Sequence, residues 1–178
     1  MSTRKQISID AIKDLRKMTS ASIVDCKKVL QESKGDIDKA VELLRKRGLQ
    51  IAAEKQARQV KEGRIEAYVH LGNKIGVLLE VGCETDFVAR NEDFCQFTKD
   101  VAMQITACNP VYIKKEDVPA SVIDQEKDKE QFYKAYCLLE QVYVKDPAIT
   151  IKDYLASLVV KVGENIVIRR FMRYKVGE

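Results

Sequence analysis

The sequence predicts an α+β protein with an N-terminal three-helix module, a helical linker, and an antiparallel sheet that carries helices on one face. Three amphipathic stretches follow one another in residues 8–48, and at Arg64 the spacing of apolar residues changes from helical to alternating. We therefore divide the chain into a module at 1–48, a linker at 49–63 and a core at 64–178. The linker is rich in Ala, Lys and Gln, which is more typical of a solvated charged helix than of a helix that binds a partner.

The helices of the module are predicted from apolar residues that recur every three or four positions. Thr19 and Ser20 suit the capping position before the second helix. Gly35 suits the left-handed position after it, Asp36 can cap the third helix, and Gly48 is expected to end that helix. Each helix is too short to be stable alone, so the apolar stripes should face one another. The stripes are Ile9, Ile12 and Leu15; Ile23, Cys26, Val29 and Leu30; and Ile37, Ala40, Val41 and Leu44.

A β-hairpin is predicted at the start of the core, because two alternating stretches flank the turn residues Gly72 and Asn73. His70 falls in the first stretch and is expected on its wetter face. The helix that follows is capped by Asn91 and ends before Pro110. The apolar positions are Ile65, Ala67, Val69 and Leu71 in the first strand, Ile75, Val77, Leu79 and Val81 in the second, and Phe94, Phe97, Val101 and Ile105 in the helix.

The rest of the core is predicted to contain a short strand at 111–113, a helical stretch from Pro119, a short strand, a helix and a C-terminal strand. Thr150 and Asp153 have the spacing of a capping box, and Gly163 is expected to end the helix that they begin. The apolar residues are Phe132, Tyr136 and Leu139; Val142 and Val144; Leu155, Leu158, Val159 and Val162; and, alternating in the final strand, Ile166, Ile168, Met172, Tyr174 and Val176.

Composition excludes several classes of protein. The 31 basic and 27 acidic residues nearly cancel to a net charge of +4, and 46% of the chain is apolar, so a disordered chain is excluded. No apolar run approaches the roughly 20 residues of a membrane span. Five cysteines without a Cys-x-x-Cys pair indicate reduced thiols rather than disulfides or a zinc site. We expect a cytoplasmic protein, since the N-terminus resembles neither a signal peptide nor a transit peptide.

Motifs for enzymatic chemistry are missing from the sequence. Neither the Gly-rich phosphate-binding motifs nor Gly-x-Ser-x-Gly occurs, and a Cys–His nucleophile would have to use the single histidine, His70. The cysteines are better explained as small buried side chains than as reactive thiols. We therefore predict no catalytic residues, no bound metal and no cofactor.

One acidic segment, residues 80–90 (EVGCETDFVAR), stands out between the second strand and the next helix. Its carboxylates and those just after it could act in acid–base chemistry, bind a cation, or complement a helix N-terminus. Phe87 is either the tip of a recognition loop or a staple that packs onto the helix near Phe94. The residue pattern alone favours the staple. The carboxylates are Glu80, Glu84, Asp86, Glu92 and Asp93.

Four separated motifs resemble the elongation factor Ts family, the nucleotide exchange factors of translation. They are residues 15–30 (LRKMTSASIVDCKKVL), 35–42 (GDIDKAVE), 85–90 (TDFVAR) and 162–170 (VGENIVIRR). The resemblance covers essentially the whole chain, in the compact form that lacks the long helical hairpin of larger members. It implies that the N-terminal module is UBA-like and docks on a partner, and that the protein is not an enzyme.

The implied partner is the GTPase elongation factor Tu, in its GDP-bound and nucleotide-free states. By this resemblance Arg16, Ile23 and Val24 are the docking residues of the N-terminal module. Thr85, Asp86, Phe87 and Val88 form a loop that enters the partner, where Phe87 wedges beside the magnesium site and Asp86 adds polar contacts. Ile23 and Val24 stand where the family often has methionines.

Three further expectations remain. The alternative function is that of a ribosome-associated RNA-binding protein, but with so small a net charge we expect the basic clusters at 45–47 and 169–173 to be surface or to meet an acidic partner. A hydrolase that uses the acidic segment has little support. Short family members pair through their sheets, so a homodimer is expected through the edge of the C-terminal strand, residues 166–176, and 64–178 is also the predicted dimerisation domain.

Overall fold

The computed structural model describes residues 7–19 and 21–178, and the predicted α+β architecture is confirmed. Helices and strands follow one another as α1 (Ile9–Thr19), α2 (Ile23–Glu32), α3 (Ile37–Lys55), β1 (Glu62–Val69), β2 (Ile75–Cys83), α4 (Asp86–Ala89), α5 (Glu92–Cys108), α6 (Ala120–Ile123), α7 (Lys129–Tyr136), β3 (Val142–Tyr143), β4 (Asp146–Thr150), α8 (Ile151–Val162) and β5 (Val167–Lys175).

The N-terminal helices enclose a small apolar core of their own, made of Leu15, Cys26, Val29, Leu30 and Ala40. The module differs from the sequence analysis in one cap and in the exposure of some apolar residues. The cap of α2 is Ser22, whose Oγ accepts the Asp25 N–H at 3.1 Å, and not Thr19; Ser20 lies outside the described residues. Ile9 and Ile23, both assigned to buried stripes, are mostly exposed.

Helix α3 continues through Gly48 to Lys55, so the helix end predicted at Gly48 is wrong. Gly48 is buried, and a Cβ atom there would lie 3.8 Å from Val160 of α8. A glycine inside a helix costs about 1 kcal/mol relative to alanine, and close packing against α8 offsets that cost. Arg45 adds an ion pair with the buried Asp153 of α8 at 3.1 Å. Within the linker itself, Ala52 packs against the main core, whereas Gln50, Ala53 and Glu54 are exposed.

The main sheet is antiparallel with strand order β1–β2–β5. Its inner face packs against α5, and α8 completes the layer. In β1 the inner positions are Arg64, Glu66 and Tyr68, because Glu66 lies opposite the buried Leu79 of β2. The inner face and its helices contribute Val77, Leu79, Val81, Phe94, Phe97, Val101, Ile105, Leu158, Val159, Ile166 and Ile168 to the main core.

The final strand does not keep one alternation from end to end. Val81 pairs with Ile168 while Glu80 pairs with Arg170, so Arg169 is the extra residue of a β-bulge. Ile168 is buried, whereas Met172 and Tyr174 face outward. The predicted single face for Ile166 to Val176 is therefore wrong, because the bulge shifts the alternation by one residue.

The remaining elements form a small unit beside the main sheet. The strand predicted at 111–113 is reduced to one isolated bridge between Tyr112 and Cys137, and the helical stretch from Pro119 is split into α6 and α7 by its polar middle. Strand β4, which contains Pro147, was not predicted, and it pairs with β3. The capping box of α8 and its left-handed end at Gly163 are confirmed.

Candidate functional site

The loop of residues 85–88 follows the last buried residue of β2 and contains most of the one-turn helix α4. Thr85 caps α4, since its Oγ1 accepts the Val88 N–H at 3.4 Å. Asn91 caps α5 only six positions later, with its Oδ1 accepting the Asp93 N–H at 2.8 Å. Two residues with strong capping preference in such close succession limit α4 to a single turn. The sequence thus builds a short projecting loop between a strand and a long helix.

Phe87 lies at the exposed side of this loop, with 83% of its surface accessible to solvent. Phe94, the proposed partner for a staple, is completely buried in the main core. The staple interpretation is therefore wrong. An exposed phenylalanine leaves unused the roughly 1.5–3 kcal/mol that burial of its ring would contribute, so this ring is available to bury itself in another surface.

The other residues of the 85–88 loop divide between solvent and core. Asp86 is half-exposed and forms an ion pair with Arg90 at 3.1 Å. Val88 is partly buried and packs against the main core. The loop is therefore anchored through Val88 while Asp86 and Phe87 face outward.

Beneath the loop, the Cys83 thiol donates a hydrogen bond to the Thr85 carbonyl at 3.1 Å. Burial and, after it, the nearby Glu164 carboxylate raise the pKa of the Cys83 thiol to about 11. The thiol is consequently protonated at neutral pH and acts as a donor rather than as a nucleophile.

The carboxylates of the acidic segment do not converge on one point. Glu80 pairs with Arg170 at 2.6 Å, Glu84 with Arg58 at 3.5 Å, and Asp93 with Lys161 at 2.6 Å. Within residues 7–19 and 21–178, no group of three or more metal-ligating side chains has the arrangement of a metal site. The acidic segment thus serves several separate ion pairs.

The candidate docking residues of the N-terminal module lie around the connection from α1 to α2. Arg16, Ile23 and Val24 are all exposed there. Met18, which the sequence analysis missed, is exposed near the end of α1 as well. Met18 continues the spacing of Ile9, Ile12 and Leu15, so the sequence pattern gave no signal that it would be exposed. Three exposed apolar side chains near one arginine are typical of a surface that binds another protein.

The two basic clusters are occupied by ion pairs. In the first, Arg45 pairs with Asp153 and Arg47 with Glu32 at 2.7 Å. In the second, Arg170 pairs with Glu80, and Arg173 pairs with Glu178 at 3.1 Å. Carboxylates of the same chain therefore compensate part of their charge, although Arg169 and Arg170 share the single carboxylate of Glu80. Among the described residues, no helix has the length and apolar character of a membrane span.

Comparison with known proteins gives a consistent result. The model of the family described as Elongation factor TS matches residues 2–131 and 128–178. The elongation factor Ts of Caldanaerobacter subterraneus subsp. tengcongensis is 49% identical in an alignment of 195 positions, gaps included, which covers 97% of this chain and 98% of the relative. That of Thermotoga maritima is 47% identical over 194 residues, covering 97% and 98%. That of Desulfotalea psychrophila is 46% identical over 194 residues, covering 96% and 98%.

Proposed function

Because the chain belongs to the elongation factor Ts family and is thus a translation elongation factor, we propose that it is the guanine nucleotide exchange factor of the GTPase elongation factor Tu. The observation that carries this proposal is the exposed Phe87 on a loop whose neighbouring residue, Val88, is anchored in the core. Arg16, Ile23 and Val24 dock the N-terminal module on the partner. The place of action is the cytoplasm, where the partner takes part in translation.

In the proposed mechanism the 85–88 loop enters the partner beside its magnesium ion. The phosphates of GDP are held by backbone N–H groups and by Mg²⁺, which compensates their mutual repulsion. A ring inserted beside the ion displaces the groups that hold it, and the phosphates are then poorly compensated. Phe87 supplies the wedge, Asp86 supplies polar contacts, and Thr85 and Val88 hold the loop in shape.

Burial of Phe87 in the partner repays part of the free energy of this displacement, roughly 1.5–3 kcal/mol. The coupling between the two ligands of the GTPase is reciprocal, so nucleotide weakens binding of this protein by the same factor as this protein weakens binding of nucleotide. The factor therefore speeds release without selecting GTP over GDP. No bond is made or broken by its own residues, and it is not an enzyme in the usual sense.

A homodimer is also part of the proposal, supported by the outer face of the main sheet. The pairing of the strands places Ala67, Leu78 and Met172 in one row across the sheet. Val69 and Tyr174 lie at the two ends of the adjacent row. These side chains are exposed, and among the described residues β5 pairs only with β2. An apolar face beside an open strand edge suits a second copy of the same sheet. The choice between a protein partner and RNA is a separate question. Ion pairs within the chain engage the basic clusters at 45–47 and 169–173, and this favours protein partners over RNA.

The test of the proposed function is the release of labelled GDP from elongation factor Tu with substoichiometric amounts of this protein. Phe87→Ala should reduce the acceleration about tenfold or more, since the lost burial corresponds to at least one factor of ten in rate. Val111→Ala is the matched control, because Val111 is also exposed and lies outside the loop. Full acceleration by a folded Phe87→Ala protein would refute the wedge.

A further inference from the structure

Glu164, in the turn between α8 and β5, holds the base of the 85–88 loop. Its carboxylate accepts hydrogen bonds from Thr85 Oγ1 at 2.6 Å, from the Thr85 N–H at 3.1 Å and from the Glu84 N–H at 3.0 Å. In return, the Glu84 carboxylate accepts the Asn165 N–H at 2.6 Å. Hydrogen bonds to carboxylates are stronger than those between neutral groups, so these four contacts clamp the two segments together.

The turn that carries Glu164 is itself fixed to the end of α3. Gly163 adopts a left-handed φ of 77° at the end of α8, and its carbonyl accepts the Lys55 ammonium at 2.7 Å. Asn165 is buried, and its amide donates to the Gln56 and Arg58 carbonyls at 3.3 and 3.0 Å. The turn at 163–165 therefore bridges the loop and the helix that leads into the N-terminal module.

We propose that Glu164 is a positioning residue of the 85–88 loop, which sets the direction in which Phe87 is presented; this role rests on the proposed function. The Thr85 hydroxyl has one hydrogen, which it donates to Glu164, and this leaves its oxygen lone pairs free to accept the Val88 N–H of α4. A one-turn helix is not stable by itself, so α4 depends on this cap. Phe87 is exposed and cannot be held through its own ring.

The chain of contacts thus runs from Glu164 through Thr85 to the backbone of α4, and from there to Phe87. Removing the carboxylate frees the Thr85 hydroxyl and leaves two backbone N–H groups without their acceptor. The loop is then anchored mainly by Val88, and Phe87 samples several directions. A loop that enters the partner in only a fraction of its conformations has a lower rate of productive insertion, although the N-terminal module still docks.

The test compares Glu164→Ala and Glu164→Gln in the full chain, with Glu130→Ala as a matched control because Glu130 is an exposed carboxylate whose partner is Lys115. Four quantities are measured: the maximal rate of GDP release, the concentration of this protein that gives half of that rate, hydrogen exchange at the amides of Glu84 and Thr85, and the melting temperature. Glu164→Ala should lower the maximal rate about tenfold, as expected for lost hydrogen bonds to a charged group, and change the half-maximal concentration less than about twofold.

Hydrogen exchange at both amides should become about tenfold faster in Glu164→Ala, because they lose their acceptor. Glu164→Gln keeps an acceptor oxygen and should recover part of both effects. An unchanged rate with unchanged amide protection would overturn the proposal. The proposal would also be overturned if the loss of rate in Glu164→Ala were accompanied by equally large changes in the melting temperature and in the half-maximal concentration. Those changes would indicate general destabilisation. If Phe87→Ala has no effect on GDP release, the proposed function fails, and hydrogen exchange alone then decides whether Glu164 positions the loop.

Discussion

The two faces of the main sheet carry similar side chains but meet different surroundings. Leu79 of β2 is completely buried under α5, whereas its neighbour Leu78 is 49% exposed on the outer face. In β1 the charged Glu66 faces the core and the apolar Ile65 faces solvent, which is the reverse of what their hydropathy would predict. Glu66 is satisfied there by Arg64 Nε at 2.9 Å and Thr98 Oγ1 at 3.2 Å. The apolar content of a face therefore does not determine whether that face forms the core.

The largest effect on stability should come from Leu79→Ala, and Leu78→Ala is its comparison on the opposite face. Leu79→Ala removes a buried side chain and leaves a cavity, so the free energy of unfolding should fall by about 2–5 kcal/mol. Leu78→Ala should change it by less than about 1 kcal/mol at protein concentrations low enough for the proposed dimer to be dissociated, because the residue is then half in solvent. Urea denaturation of the two variants measures the difference. Equal losses would mean that the outer face is as buried in solution as the inner one.

The outer face is tested next by Leu78→Asp, which places a charge in the row formed with Ala67 and Met172. Desolvation of an unpaired carboxylate in a dimer interface should raise the dissociation constant about a hundredfold or more, while the fold is retained. Light scattering over a range of concentrations measures this change. Val111→Asp, another exposed apolar site, is the control and should leave the dimer intact. A monomeric unmodified protein, or a Leu78→Asp protein that still dimerises, would contradict the proposed dimer.

The smallest effect concerns Asp100, a buried carboxylate of α5 in the helical layer that covers the inner face of the sheet. Burial tends to raise the pKa of Asp100, but hydrogen bonds from Lys145, Gln96 and Tyr154 outweigh it and hold this pKa below the ordinary value of 3.8. The folded protein thus binds this proton less tightly than the unfolded chain. The resulting stability is fully present above the ordinary value and is lost as the pH falls through the folded-state pKa.

Asp100→Asn should therefore lower the free energy of unfolding at neutral pH by about 1–2 kcal/mol, through weaker hydrogen bonds, and make its decline in acid less steep. Denaturation at a series of pH values tests this. Asp124→Asn is the control, since Asp124 lies in an exposed pair with Lys129. An acid dependence as steep as that of the unmodified protein would show that Asp100 does not contribute in this way.

The candidate site shows how far the sequence reaches. The caps at Asp36, Asn91 and Thr150 could be predicted because each acts on backbone groups two or three positions away. The exposure of Phe87 could not be predicted in this way, since a staple and a projecting tip have the same local pattern. The contact of Glu164 with Thr85 spans 79 positions and exists only because β2 and β5 are neighbours in the sheet.

By itself, the sequence determined the order of the main helices and strands, the caps at Asp36, Asn91 and Thr150, and the four motifs of the elongation factor Ts family. Periodicity and capping act within a few residues, so the chain carries this information locally. Only the tertiary structure decided that α3 passes through Gly48, that the bulge at Arg169 reverses the outward residues of β5, and which face of β1 is covered. Each of these depends on burial against a distant segment, which no local pattern contains.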